Sequence, residues 1–270
     1  MTRDPVASNI DNLVRRLDAL PIRGSYGAVK PIIADVPPEL LRSAARFLAE
    51  NFEDRIARLK LPVSVVASYR EDVCRIHRDT GRLPDHFYRS ENDVFIKDFC
   101  IAAQRIIPVG AQIIHETGIS RRFVLGTRGR EAVYAAGFFL RTRGFSPFYE
   151  MHTHEPALGE FNDAGWRRSY LRIAAILKLN PEIKGVFSSA WYFDPVIEKI
   201  SPRLAYVRNI PMRNGALSIY CGSDEASIRL ATKTSETRRK LHSSGRYLPT
   251  SYLVVWDRHH LLQWAAAQSM

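Results

Sequence analysis

The stretch PFYEMHTH at residues 147–154 is the part of the sequence that decides the predicted fold. Its apolar and polar residues alternate, which is typical of a β-strand with two unlike faces. A polar loop, EPALGEFNDAG, follows at 155–165, and apolar residues then recur at helical spacing over 166–179. A second strand pattern, IKGVFSSAWYF, occupies 183–193. This order of strand, loop, helix and strand predicts an α/β unit.

Further short elements are predicted on both sides of this unit. On its N-terminal side the glycine-punctuated sequence predicts three more strands, AQIIHE at 111–116, RRFVLG at 121–126 and EAVYAAGFFLR at 131–141. On its C-terminal side we predict a strand over ALSIYC, a long helix from Ser223 to about Ser243 and a final strand over SYLVVW at 251–256. The expected fold class is α/β (α+β), with a central mixed, largely antiparallel sheet flanked by helices.

The beginning of the chain has a different pattern. Apolar residues at helical spacing predict one helix over 39–60 and another over 63–80. We therefore predict a helical N-terminal region at 1–90 and a mixed α/β domain at 91–270.

Composition excludes several classes of protein. The 270 residues are 46% hydrophobic, which rules out a disordered or collagen-like chain. Three widely spaced cysteines argue against a disulfide scaffold and a cysteine zinc site. The net charge of +11 favours an anionic partner: a nucleic acid, a phosphorylated cofactor or a membrane face. We expect a cytoplasmic protein without a membrane span.

Three ionisable residues lie close together in the deciding strand. In an extended strand Glu150, His152 and His154 would share one face. They can line a cleft, where a histidine or a carboxylate acts as a general base near neutral pH. A solvated or hydrogen-bonded sheet face is an equally good interpretation. A third is a metal-dependent enzyme that uses His152 and His154 as ligands.

The segment GEFNDAGWRR, at 159–168, forms the junction between the loop and the next helix. The first turn of a helix offers free N–H groups and the positive end of the helix dipole, and both attract phosphate. Arg167 and Arg168 would add charge-assisted contacts. Glu160 and Asp163 bring negative charge to the same place, and Asp163 can instead be an ordinary N-cap.

The end of the second strand, SSAWYF at 188–193, is a third candidate segment. Sites of α/β proteins commonly lie at the carboxyl ends of parallel strands. A cleft lined by these aromatic residues would suit an apolar acyl chain, although a core role explains the same residues.

The element order from 111 to 222 resembles the second half of the GCN5-related N-acetyltransferase fold. The resemblance rests on order alone. In that family the strand before the loop lies along the acyl-CoA, and the next helix start holds its pyrophosphate. The family's usual pyrophosphate loop, [Arg/Gln]-x-x-Gly-x-[Gly/Ala], is absent from GEFNDAGWRR. Divergent relatives, such as acyl-homoserine-lactone and long-chain N-acyl amino acid synthases, also lack it.

This resemblance implies an acyltransferase-like domain at 91–270. It would move an acyl group from acyl-CoA or an acyl-carrier protein to a small-molecule amine acceptor, with no metal. Glu150 or His152 would deprotonate the amine, and Tyr192 would protonate the departing thiolate. Residues for the cofactor would be Asn162, Gly165, Trp166, Arg167 and Arg168. Residues for the substrate would be His154, Ser188, Ser189 and Trp191.

The predicted helix over 229–246 offers a further alternative. Its basic residues are Arg229, Lys233, Arg238, Arg239, Lys240 and Arg246. Such a run beside Tyr247 and Tyr252 can bind tRNA or another nucleic acid through phosphates and base stacking. A charge run is more often the solvated face of a helix, so nucleic acid is not the favoured partner.

Overall fold

The computed structural model describes residues 5–20 and 26–268, which form two compact units. The first unit comprises Met1–Thr117 and Thr153–Leu158, and the second comprises Gly118–His152 and Gly159–Met270. Residues 1–4 and 21–25 of the predicted helical region 1–90 lie outside the described residues, and the described remainder belongs to the first unit.

The first unit is mainly helical. Its helices are α1 (Pro5–Asp18), α2 (Lys30–Ile33), α3 (Pro38–Glu50), α4 (Phe52–Ile56), α5 (Val63–Thr80) and α6 (Asp93–Ala102). An antiparallel pair of strands, β1 (Ile107–Pro108) and β2 (Gln112–Thr117), completes it. The predicted helical N-terminal part and the helix over 63–80 are confirmed.

The prediction of a single helix over 39–60 is wrong, because the chain breaks at Asn51 between α3 and α4. The Asn51 side chain donates a hydrogen bond of 2.8 Å to the Phe47 carbonyl. Asparagine commonly competes in this way with the helical ladder of the backbone. The break lets Phe52 pack into the core beside Tyr69, with ring centroids 5.1 Å apart.

The second unit contains four neighbouring strands of the sheet. Its elements are α7 (Arg121–Leu125), α8 (Gly129–Arg141), β3 (Phe148–Thr153), α9 (Asp163–Leu179), β4 (Gly185–Ala190), α10 (Ile197–Ile200), α11 (Ala205–Met212), β5 (Leu217–Gly222), α12 (Glu225–Lys233), α13 (Glu236–Ser243), β6 (Ser251–Asp257) and α14 (Arg258–Ala267). The strands lie in the order β3, β4, β6, β5. Strand β3 is parallel to β4, whereas β6 is antiparallel to both β4 and β5. The predicted mixed, largely antiparallel α/β fold is confirmed.

Alternation along the strands gives this sheet an apolar layer on each face. On one face Phe187, Leu253 and Val255 pack with residues of α8. On the other face Trp256 contacts Tyr170 of α9, with ring centroids 5.1 Å apart. Helices therefore flank the sheet, as predicted.

The strands predicted at 121–126 and 131–141 are wrong, because these segments form α7 and α8. Helix α8 buries Ala135, Phe138 and Phe139 against the sheet, and this spacing fits one helical face. Aromatic and β-branched residues have a high intrinsic preference for strands, which is why a strand is predicted here. Packing of the helix against the sheet overrides that preference.

Two further boundaries differ from prediction. The long helix over 223–243 is two helices, because Asp224 caps α12 and Ser235 caps α13 through side-chain hydrogen bonds. The strand over 183–193 ends at Ala190, and Trp191–Phe193 form a turn of 3₁₀ helix.

Candidate functional site

The parallel pair β3 and β4 opens part-way along its length. The strands are in register at two residue pairs, Tyr149 with Val186 and Glu150 with Phe187. Each strand continues for three further residues, to 153 and to 190. No additional register pair joins these two strands, all of whose residues the structure describes.

We call this parting the β3–β4 opening, with Met151 and His152 on one side and Ser188–Ala190 on the other. At its start the Ser188 hydroxyl donates a hydrogen bond of 3.0 Å to the Met151 carbonyl. Strand β4 stays paired with β6 as far as Ala190. The edge of β4 that faces β3 therefore has backbone groups that lie outside the β3–β4 ladder, and an extended ligand can use such groups.

Glu150 and His152 lie side by side on one face of β3, as alternation predicts. His152 Nε2 is 3.8 Å from Glu150 Oε1, and both side chains are half-buried. Burial raises the pKa of the Glu150 carboxyl above its ordinary value of 4.5. A carboxylate with a raised pKa is a better proton acceptor, so this pair can act as a general base.

The other predicted residues of β4 have different environments. Ser188 is buried and its hydroxyl is bonded to the Met151 carbonyl, whereas Ser189 is exposed. Trp191 is half-buried, and the guanidinium carbon of Arg238 lies 4.5 Å from the centre of its ring.

An aromatic cluster surrounds the start of α9. Tyr192 is buried, and its ring centroid lies 6.1 Å from those of Phe161 and Trp166. Tyr206 of α11 also lies 6.1 Å from Trp166. These edge-on contacts bring two tyrosines to the first turn of α9.

The first turn of α9 is held by Asn162 and Gly165. The Asn162 side chain accepts a hydrogen bond of 2.9 Å from the Gly165 backbone N–H, so Asn162 and not Asp163 is the N-cap. A Cβ at Gly165 would clash with the backbone carbonyl of Glu160. Trp166 is fully buried. Asn162 therefore has a capping role, and Gly165 and Trp166 have packing roles.

Both arginines of this helix start have carboxylate partners. Arg167 Nε donates to Asp163 over 2.8 Å, and Arg168 Nη2 lies 3.7 Å from Glu160 Oε2. These pairs are substantially exposed, so each contributes little to stability. An incoming phosphate would compete with the two carboxylates for these cations.

His154 belongs to the first unit and differs from the other two residues of the motif. It is buried, with Nδ1 3.2 Å from the Gly110 carbonyl and Nε2 3.3 Å from Asp72 Oδ1. The contact to Asp72 lacks hydrogen-bond geometry, although the distance is short. Burial raises the pKa of Asp72, while His154 and Arg75 oppose that rise. Burial and these contacts thus explain the presence of His154 without a role in binding or catalysis.

The basic segment at 229–246 is not one charged face. Arg238 is buried: its Nε donates to the Ala231 carbonyl over 2.5 Å and its Nη1 donates to the Ser201 hydroxyl over 3.0 Å. Its neighbours Arg239 and Lys240 are exposed, and Lys240 pairs with Glu236 at 3.1 Å. The central cation of the run therefore joins α12, α13 and the Trp191 turn.

Replacing Arg238 with Ala should lower the free energy of unfolding by about 2–3 kcal/mol, because buried acceptors lose their donor. Replacing Arg239 with Ala should change it by less than about 0.5 kcal/mol. Denaturant unfolding of the two variants measures the difference. Equal stabilities would show that Arg238 does not hold these elements together.

No protein-family model, curated protein or solved structure matches this chain. No helix among the described residues is long and apolar enough to cross a membrane.

Tyr206 is not among the residues predicted for the site. Its hydroxyl is buried without a hydrogen-bond partner, and burial raises its pKa to about 12. A phenol in this state remains protonated at neutral pH and can donate a hydrogen bond. No local motif marks Tyr206, because its position depends on how α11 packs against α9.

Proposed function

We propose that the chain is an acyltransferase that moves an acyl group from a thioester to an amine acceptor. The observation that supports this proposal most directly is the β3–β4 opening, where a parallel pair stops after two register pairs. An acyl thioester has a long arm with amide groups, and that arm can bond to strand-edge backbone groups. The order β3, α9, β4 agrees with the resemblance to the acetyltransferase fold.

Glu150 and His152 would supply the base for this reaction. The amine nitrogen attacks the thioester carbonyl carbon, and the Glu150–His152 pair accepts the proton that the nitrogen loses. The intermediate then breaks its carbon–sulfur bond, which releases a thiolate. Glu150 lies at the last register pair, so its backbone is at the start of the opening.

Tyr192 or Tyr206 would donate a hydrogen bond to the departing thiolate, which then takes its proton from solvent. Both tyrosines pack on Trp166 at the start of α9. A thiol has an ordinary pKa of about 8.5 and a phenol one of about 10, so proton transfer from a tyrosine to a thiolate is unfavourable. A fixed phenol nevertheless stabilises the developing sulfur charge through its hydrogen bond.

The start of α9 would hold the phosphate groups of a CoA donor. Asn162 and Gly165 shape this turn, Trp166 anchors it, and Arg167 and Arg168 supply positive charge. An acyl-carrier protein presents the same thioester arm with one phosphate. The cytoplasm is the proposed location, because Cys74, Cys100 and Cys221 are all free.

Palmitoyl-CoA at millimolar concentration should raise the melting temperature of the purified chain, because a ligand stabilises the folded state that binds it. CoA alone should raise it less, since CoA has no acyl chain to bury. Differential scanning fluorimetry measures both shifts. Absence of a shift with palmitoyl-CoA and with an acyl-carrier protein would contradict the proposal.

A second candidate function is metal-dependent chemistry, which the 3.8 Å separation of the Glu150 and His152 donor atoms favours. Imidazole and carboxylate are both common zinc ligands. Elemental analysis of protein purified without a tag separates the candidates. One equivalent of zinc that is lost with His152→Ala would support the metal candidate, and a stable metal-free protein would exclude it.

A further inference from the structure

Helices α7 and α8 expose an unusual amount of apolar surface. The side chains concerned are Leu125 (84% exposed), Leu140 (80%), Val133 (72%) and Tyr134 (71%). Val133, Gly137 and Leu140 follow each other at helical spacing along the outer side of α8. We call these residues, with Leu125 and Tyr134, the α7–α8 surface. Exposed apolar side chains that cluster on one segment mark interaction sites.

The same segment is strongly basic. Residues 121–143 contain six arginines and a single acidic residue, Glu131. Arg121, Arg122, Arg128 and Arg143 are exposed, and Arg141 is exposed but pairs with Asp257 at 3.3 Å. Glu131 is engaged elsewhere, because its Oε1 accepts a hydrogen bond of 3.1 Å from the Tyr220 backbone N–H. The apolar stripe is therefore bordered by positive charge.

Helix α8 is held in place before any partner arrives. Its opposite side buries Ala135, Phe138 and Phe139 in the core of the second unit. The exposed stripe is thus preformed, and binding through it does not require the helix to fold.

We propose that the α7–α8 surface binds the second unit to an anionic lipid surface. Exposed apolar side chains on a helix can enter the acyl region of a bilayer, while arginines contact lipid phosphates. Tyr134 has the amphipathic side chain that is enriched at membrane interfaces. Nucleic acid fits less well, because it offers little apolar surface to Leu125 and Leu140. An acidic protein is the remaining alternative, and the experiment includes it.

Co-sedimentation of the full chain with vesicles tests this proposal. One set contains phosphatidylcholine alone, and the other contains one third phosphatidylglycerol. We expect binding to the anionic vesicles, weak binding to the neutral ones, and release at about 0.5 M salt, where charges are screened within a few ångströms. Equal binding to both vesicles, or none to either, would overturn the proposal.

Matched variants locate the surface. The double variant Val133→Ser, Leu140→Ser should bind anionic vesicles about tenfold more weakly, because two apolar side chains no longer leave water. The control Leu230→Ser, Leu248→Ser changes two exposed leucines elsewhere in the same unit and should bind normally. Full binding by the first variant would overturn the proposal. So would binding to an acidic carrier protein in the absence of any vesicle binding.

A second pair of variants tests the charge. Arg121→Gln, Arg122→Gln should weaken binding to anionic vesicles about tenfold, whereas Arg239→Gln, Lys240→Gln should not. An equal loss in both would show general attraction of a basic protein, and the assignment to α7 and α8 would be wrong. Melting temperatures of all variants should match that of the unmodified chain, because every changed side chain is exposed.

Discussion

Replacing Glu150 with Gln is expected to lower kcat for acyl transfer by about 10²–10⁴-fold, the usual contribution of a general base. Gln has the same shape, so it keeps the packing of β3 but cannot accept the amine proton. His152→Ala should also lower turnover strongly, because His152 Nε2 lies only 3.8 Å from the Glu150 carboxylate. Release of free CoA thiol from palmitoyl-CoA, in the presence of a panel of amino acids, measures turnover.

The pH dependence of the unmodified enzyme provides an independent readout. Since burial raises the pKa of Glu150, activity should fall on the acid side at a pH above 4.5. The Gln variant should lack that acid limb. An unchanged pH profile in the variant would show that Glu150 is not the base.

Stability separates a catalytic role for Glu150 from a structural one. A carboxyl whose folded pKa is raised favours folding when protonated, and that contribution is lost as the pH rises through the folded pKa. At neutral pH the ionised group therefore costs stability, so Glu150→Gln should melt at the same temperature or higher. The control Glu155→Gln, at an exposed position, should retain full activity. Unfolding of both Glu150→Gln and His152→Ala would mean that these residues are structural.

Replacing Asp98 with Ala should lower the free energy of unfolding by about 3–5 kcal/mol, the cost of leaving a buried ion without its partner. Asp98 is buried and accepts two hydrogen bonds from Arg75, of 2.6 and 2.9 Å. Asp72 and Asp79 lie further from Arg75, at 3.3 and 3.4 Å. Neither replaces the paired geometry that Asp98 provides.

Glu53→Ala is the matched control for Asp98→Ala. Glu53 also accepts two hydrogen bonds from one arginine, Arg70, but at least half of each side chain is exposed. Its loss should cost no more than about 1 kcal/mol. Urea unfolding of both variants measures the two values. Equal losses would contradict the view that burial makes the Arg75–Asp98 pair contribute more to the free energy of unfolding than an exposed pair.

The central strands could be predicted from sequence because their signals are local. Alternation over 147–154 predicts β3 within one residue at each end, and the helical spacing over 166–179 predicts α9 except for its first three residues. Helix α8 could not be predicted in the same way. Its exposed Val133 and Leu140 obscure the helical pattern that Ala135, Phe138 and Phe139 create.

Some predicted site residues are placed by their neighbours in sequence, and others are placed by residues far away in the chain. Glu150 and His152 lie together because they are two residues apart on one strand. His154 lies past the end of β3, so alternation no longer determines its environment, and Asp72 is distant in sequence. Arg238 was predicted within a charged run, yet contacts to Ser201 and Trp191 bury it. Contacts between residues so far apart in the chain produce no recognisable pattern in the local sequence.

Hydrogen exchange with palmitoyl-CoA bound tests the proposed acyltransferase site most directly. Backbone amides in the segments around Met151–His152 and Ser188–Ala190 should exchange more slowly in the complex, because the thioester arm bonds to strand edges that face each other there. Amides of α6 should be unaffected. Slower exchange in both segments is the result that we predict. Binding that leaves both segments unchanged would contradict the proposal that the β3–β4 opening receives the acyl donor.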